Sequence, residues 1–139
     1  MNRKWLALLL VGMAVRLAAH PIPDIPVRGH FETSGEARIE IEIDARLFAE
    51  DPNTEPYLVK AELEKLPAGQ RARLFERALK YATDAVSFYF EPTGRFVPKF
   101  EFSFTGLGGM ELRNADDPVM LTGRWTTQLA SGLTGFRIE

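Results

Sequence analysis

The chain has two imidazoles, His20 and His30, and together they could bind a transition metal. Cutting an export leader after Ala19 makes His20 the first residue of the mature protein. A free α-amine and the ring Nδ1 then chelate one ion. A second imidazole extends the set to the nitrogen-rich site that copper or another transition metal prefers. Pro21 has no amide proton, so any motif that recruits the second backbone nitrogen is ruled out. His30 stands on the polar side of the first alternating run and is the one imidazole left to join His20. The competing reading is two surface histidines with no joint role, and a two-residue motif has a high false-positive rate.

Acidic groups are more numerous and less specific. Glu40, Glu42 and Asp44 alternate along residues 38–44 and are expected on a wet face, where carboxylates serve solubility. Asp116 and Asp117, just before Pro118, read as turn formers. A calcium loop needs oxygen ligands at set spacing around a glycine, and no stretch has it. Gly106-x-Gly108-Gly109 lacks dinucleotide spacing and opens no convincing helix. There is no Gly-x-Ser-x-Gly elbow, and a chain without cysteine has no thiol nucleophile. Nucleophile and general base are missing as a set. The chain therefore reads as non-catalytic, with a hydrolase built on unrecognised carboxylates as the enzymatic alternative. Arg71, Arg73, Arg77 and Lys80 form a basic helix face that suits anionic lipid or an acidic partner. Glu62, Glu64 and Glu76 are interspersed and favour a merely solvated face.

The leader sets the address. Arg3 and Lys4 precede an 11-residue apolar run from Trp5 to Val15, and Leu17-Ala18-Ala19 offers a small-residue cleavage site. The run is shorter than the roughly 20 residues of a bilayer span, and Arg16 interrupts it. Residues 1–19 read as a secretory signal peptide, with an uncleaved anchor as the alternative, and residues 20–139 as a single domain. The protein is expected to be exported, to the periplasm or beyond. Without the three basic leader residues, 14 basic side chains face 19 acidic ones, a charge of −5. An acidic surface with no basic cluster argues against nucleic acid as partner. A cysteine-free exported domain needs a real core, and the ten phenylalanines, all beyond the leader, supply its material.

The elements follow from periodicity. Three prolines keep residues 20–26 extended. Val27, Gly29 and Phe31 alternate with polar residues, and residues 33–36 form a turn. Ile39, Ile41 and Ile43 then line one face of a returning strand, which predicts a β-hairpin. Residues 56–86 change period. Leu58, Ala61, Leu63 and Leu66 suit one helix, and Pro67 ends it and opens the next. Leu74, Phe75, Ala78, Leu79, Ala82 and Val86 repeat at helical spacing. Neither helix has a strong capping residue. Alternation returns at residues 87–91, at 99–105 with Phe100, Phe102 and Phe104, at 119–125, and from Phe136 to the end. The Phe row is expected to face the Ile row as its partner layer. The final alternating segment stops at Glu139, as an edge strand does or as a truncated longer product would.

These patterns predict a mainly β domain, α+β by content. The expected form is an antiparallel, immunoglobulin-like β-sandwich with an inserted helical hairpin at about residues 56–86. An α+β sheet with both helices on one side is the second choice. A signal peptide running into His20-Pro21-Ile22-Pro23 and then an alternating β domain resembles the N-terminal extracytoplasmic region of HupE/UreJ-like bacterial membrane proteins. That resemblance implies the outer domain of a membrane protein associated with nickel or related metal transport, and it carries over no functional residue. The leading expectation is an accessory or partner-binding domain without a cofactor, meeting a protein or membrane-protein partner. Membrane contact would run only through an uncleaved leader or a missing C-terminal segment. The alternative is a periplasmic copper-binding protein using His20 and His30.

Overall fold

The computed structural model describes residues 24–139; the leader, its cleavage site and His20 lie outside them. Alternating isoleucine and acid extends β2 (Glu36–Asp44), which pairs along its whole length with antiparallel β6 (Met120–Gln128). β1 (Val27–Phe31) flanks β2 and β5 (Glu101–Thr105) flanks β6, giving the order β1-β2-β6-β5. Val27, Gly29 and Phe31 stand opposite Ile41, Ile39 and Ala37, so the hairpin forms in the register that joins their apolar faces. A second antiparallel sheet has the order β4-β3-β7, from β3 (Phe88–Glu91), β4 (Gly94–Phe96) and β7 (Gly135–Ile138). Two helices, α1 (Lys60–Lys65) and α2 (Ala68–Ala85), separate the strands. The domain is thus mainly β, with two antiparallel sheets and the helical pair where the change of period predicts it.

Ile39, Ile41 and Ile43 are sealed from water, and each such side chain contributes roughly 1.5–3 kcal/mol by its burial. What seals them corrects one expectation. Phe102 pairs with Gly123 and Phe104 with Leu121, while those β6 residues pair with Ile41 and Ile43. The Phe row therefore lies beside the Ile row on the same face of the same sheet. The facing layer is shared instead. α2 brings Ala78, Ala82, Leu74 and Phe75, with Phe75 4.4 Å from Phe104 between ring centroids. The small sheet brings Phe88, Phe96 and Phe136, with Phe96 stacked 5.3 Å from Trp125 and Phe88 5.8 Å from Phe100. Leu79, although in helical phase with that face, is exposed.

The outer face brings a second correction. Glu40 is only partly exposed, and Glu42 and Asp44 retain 4% and 2% of their accessible surface; this side of β2 is not wet. An interior strand has neighbours on both sides, and their long side chains lie across it. Arg28 reaches Glu40 at 3.3 Å and Glu42 at 3.8 Å, and Arg124 Nε donates to Glu40 Oε2 at 2.8 Å. The hydroxyls of Thr105 and Thr122 bond at 2.7 Å. A 3-10 turn (Leu107–Gly109) passes overhead. A Cβ at Gly109, which has φ +75°, would come within 3.2 Å of Arg124 Nη2 and 3.5 Å of Glu40 Oε1.

That same loop caps α1. Val59 offers no capping side chain; instead Lys60 N–H donates to Asp117 O at 3.0 Å and Ala61 N–H to Ala115 O at 2.9 Å, satisfying two otherwise orphaned helix donors. Asp117 is the turn former its position suggests: its carboxylate accepts from the Asn114 and Arg113 amides at 2.8 and 2.7 Å. These bonds favour the charged form and lower the Asp117 pKa from its ordinary value.

Gly123 sits where the sheet leaves no room for a side chain. A Cβ there would lie 2.8 Å from two Phe102 ring carbons and 3.0 Å from Ile41 Cγ2. Gly123→Ala should cost about 1–3 kcal/mol by overpacking. Gly69→Ala, in the first turn of α2 with open space around it, should be neutral or stabilising by up to about 1 kcal/mol. Urea unfolding of the two variants beside the parent protein checks the contrast; equal midpoints would refute it.

Candidate functional site

Asp44, the last residue of β2, is the corner on which a groove is built. Its Oδ1 accepts from Arg46 N–H at 2.9 Å, which caps a 3-10 turn (Ala45–Phe48). Its Oδ2 accepts from Arg46 Nε at 2.7 Å, with Nη2 at 2.6 Å. The hydrogen bond to Asp44 raises the Arg46 pKa, against the desolvation that lowers it. The guanidinium also lies 3.5 Å from the centroid of the Tyr57 ring, a cation–π contact that fixes the tyrosine in turn.

Across from this corner runs α2. Arg77 Nη2 donates to Phe48 O at 2.6 Å, and its guanidinium carbon sits 4.9 Å from the Phe48 ring centroid. This contact ties the helix to the turn over 29 residues of sequence. Between the two walls lies an open groove of about 510 Å³. Phe48, Leu58, Leu66 and Leu74 supply apolar lining, and Arg46, Arg73, Arg77, Glu55 and Glu62 supply charge. A second depression of about 520 Å³ lies beside Leu107, Met110 and Arg113. There the Asp117 carboxylate is already taken up by its own loop.

The groove gives the basic helix face a different meaning. Arg71 is bound to the Leu66 and Glu64 carbonyls at 2.9 and 3.4 Å and joins the two helices. Lys80 pairs with Asp84. Arg73 is exposed and makes no ion pair among the described residues. Arg46, Phe48 and Tyr57 carry no functional signal in the sequence. Asp44 followed two residues later by arginine, where alternation stops, is the one local hint of a charged corner.

The sequence-predicted metal pair is not brought together within the described residues, because His20 falls outside them. His30 lies exposed on edge strand β1, directly opposite Arg38. Among the described residues no group of three or more His, Cys, Asp or Glu side chains is placed to hold a metal ion. No described helix is long and apolar enough to cross a membrane.

Two outcomes are expected. Arg46→Gln leaves the buried Asp44 carboxylate short of its partner. It should lose stability towards the lower end of about 3–5 kcal/mol, since Arg46 is itself 18% exposed; a urea midpoint within error of the parent's would show that Asp44 does not depend on it. In calorimetric copper titration of protein beginning at His20, a cationic neighbour disfavours metal at His30. His30→Ala should then leave affinity unchanged, whereas a tenfold loss would establish the two-histidine site. Comparison of the chain with protein-family models, with curated proteins and with solved structures finds no match.

Proposed function

We propose that this chain is an exported, non-catalytic accessory domain that binds a partner through the groove between α2 and residues 45–58. One observation carries the proposal: an open, apolar-lined trough holds two guanidinium groups, on Arg73 and Arg77, that no carboxylate of the described residues neutralises. Buried, correctly placed arginine and aromatic side chains dominate binding energetics at protein interfaces. This trough offers Arg73, Arg77, Phe48 and Tyr57 together. The basic, apolar, small-residue order of residues 1–19 supports export. Two antiparallel sheets around one aromatic interior support the immunoglobulin-like reading. The resemblance at the leader junction supports placement as the periplasmic domain of a metal-transport-related membrane protein.

Photo-crosslinking in the exporting cell tests the binding face. A photoreactive residue at Leu66, in the groove, should yield a discrete adduct that the same residue at Thr93, on the β3–β4 turn, does not. Indistinguishable adduct patterns at the two positions would remove the groove from consideration.

A further inference from the structure

We propose that the groove's occupant is a short acidic peptide segment of a protein partner. One carboxylate is held by Arg73 and Arg77, and apolar neighbours lie on Phe48, Leu66 and Leu74. The inference rests on the groove being the binding face and goes further by assigning the chemistry of what enters it.

Charge accounting comes first. Of the groove's three arginines, Arg46 is neutralised by Asp44 at 2.6 Å. Of its two acids, Glu62 is neutralised by Lys65 at 2.7 Å. That leaves Arg73 and Arg77 against Glu55. Arg77 gives one N–H to a neutral carbonyl and so keeps its full charge and most of its five donors. The two are four residues apart on α2 and so neighbours on one helix face, a spacing that lets one carboxylate accept from both. Charge-assisted bonds from guanidinium to carboxylate are among the strongest a surface can make. Without the leader the chain carries −5, whereas the trough keeps two cations, unpaired among the described residues, against one acid. An acidic partner gains only when its carboxylate lands there.

Shape decides between ligand classes. Small-molecule sites enclose most of their ligand's surface. This trough is open to solvent, and its Tyr57 is 45% exposed. An extended peptide laid across it covers the apolar floor while its backbone remains in water. The floor of leucine and phenylalanine asks for apolar side chains on either side of the acid.

Fluorescence anisotropy with the full chain and two labelled, terminally blocked peptides tests this: Ala-Leu-Glu-Phe-Ala and its glutamine counterpart. The glutamate peptide should bind about tenfold more tightly, the equivalent of one charge-assisted hydrogen bond, and the advantage should shrink at high salt. Arg73→Gln should shrink the difference, with Arg77 keeping the remainder. Arg73→Glu should reverse the preference towards the glutamine peptide. Arg73 is exposed, so these variants leave the core intact, and unchanged thermal unfolding verifies it. If both peptides bind equally and both are lost in Leu66→Arg, the acidic specificity is overturned and the groove survives as a binding face. Binding of neither peptide also overturns it. So does octanoate displacing the glutamate peptide while binding more tightly, which assigns the trough to a small carboxylate. Self-association that depends on Arg73 overturns it in favour of a second copy of the chain.

Discussion

Charge on an interior strand has to be answered where it stands, and that constraint organises this domain. β2 lies between β1 and β6, and long side chains from its neighbours cover its outward carboxylates, leaving Glu40 partly exposed and Glu42 and Asp44 buried. Glu40 takes Arg28 from one neighbour and Arg124 from the other. Among the described residues Asp44 has no cross-strand cation and takes Arg46 from its own strand end, two residues on. Closing that short loop forces the backbone out of extension and into the 3-10 turn of residues 45–48. The groove's corner is therefore a by-product of satisfying a buried carboxylate. Arg46 sets Tyr57, the turn sets Phe48, and Phe48 receives Arg77 from α2. The groove inherits its geometry from electrostatics at the end of the central strand.

The same carboxylates specify the sheet's register. Side chains alternate with period two, so a slip of one residue would carry Glu40, Glu42 and Asp44 into the apolar interior and three isoleucines out of it. Isolated charges cost many times more in an apolar medium than isoleucines cost in water. Glu42 illustrates the balance. Its Oε2 is buried without a hydrogen bond and, among the described residues, has only Arg28, 3.8 Å away, as a counter-charge. A buried ion pair of that quality adds little to net stability. Its contribution is to make the wrong pairing much worse than the right one.

Periodicity exposes which face a residue occupies, and much of the fold follows from it. Val27, Gly29, Phe31 and the three isoleucines do share one face, and the change of period at residues 56–86 does mark two helices. What periodicity omits is which strand is whose neighbour. Phe102 and Ile41 carry the same alternation whether they face each other or lie side by side, and only the pairing through Gly123 separates the cases. Nor does it say whether a polar face is covered, which is how Glu42 and Asp44 come to be misjudged. β4 spans three residues, too few to display a period. The groove was least legible. Its walls come from separated stretches around residues 45–49, 55–58 and 66–77, and no local pattern joins them. Arg73 and Arg77 are visible as part of a basic helix face, but only the positions of Asp84, Leu66 and Phe48 show which cations on that face already have partners.

Arg77 also bears on how firmly the groove can hold anything. Binding loses free energy wherever loops and long side chains must be ordered on contact. Here the opposing walls are tied across the trough before any occupant arrives, by a 2.6 Å bond from Arg77 to the Phe48 carbonyl and by stacking on the Phe48 ring. One wall is pinned to the sheet through Asp44, and the other to the core through Ala78 and Ala82. The width of the trough is thus set by the same side chain whose remaining donors would meet a carboxylate. Arg73 is exposed and has no such tie among the described residues. In the proposed complex, Arg77 would present its remaining donors at a fixed place and Arg73 would complete the contact.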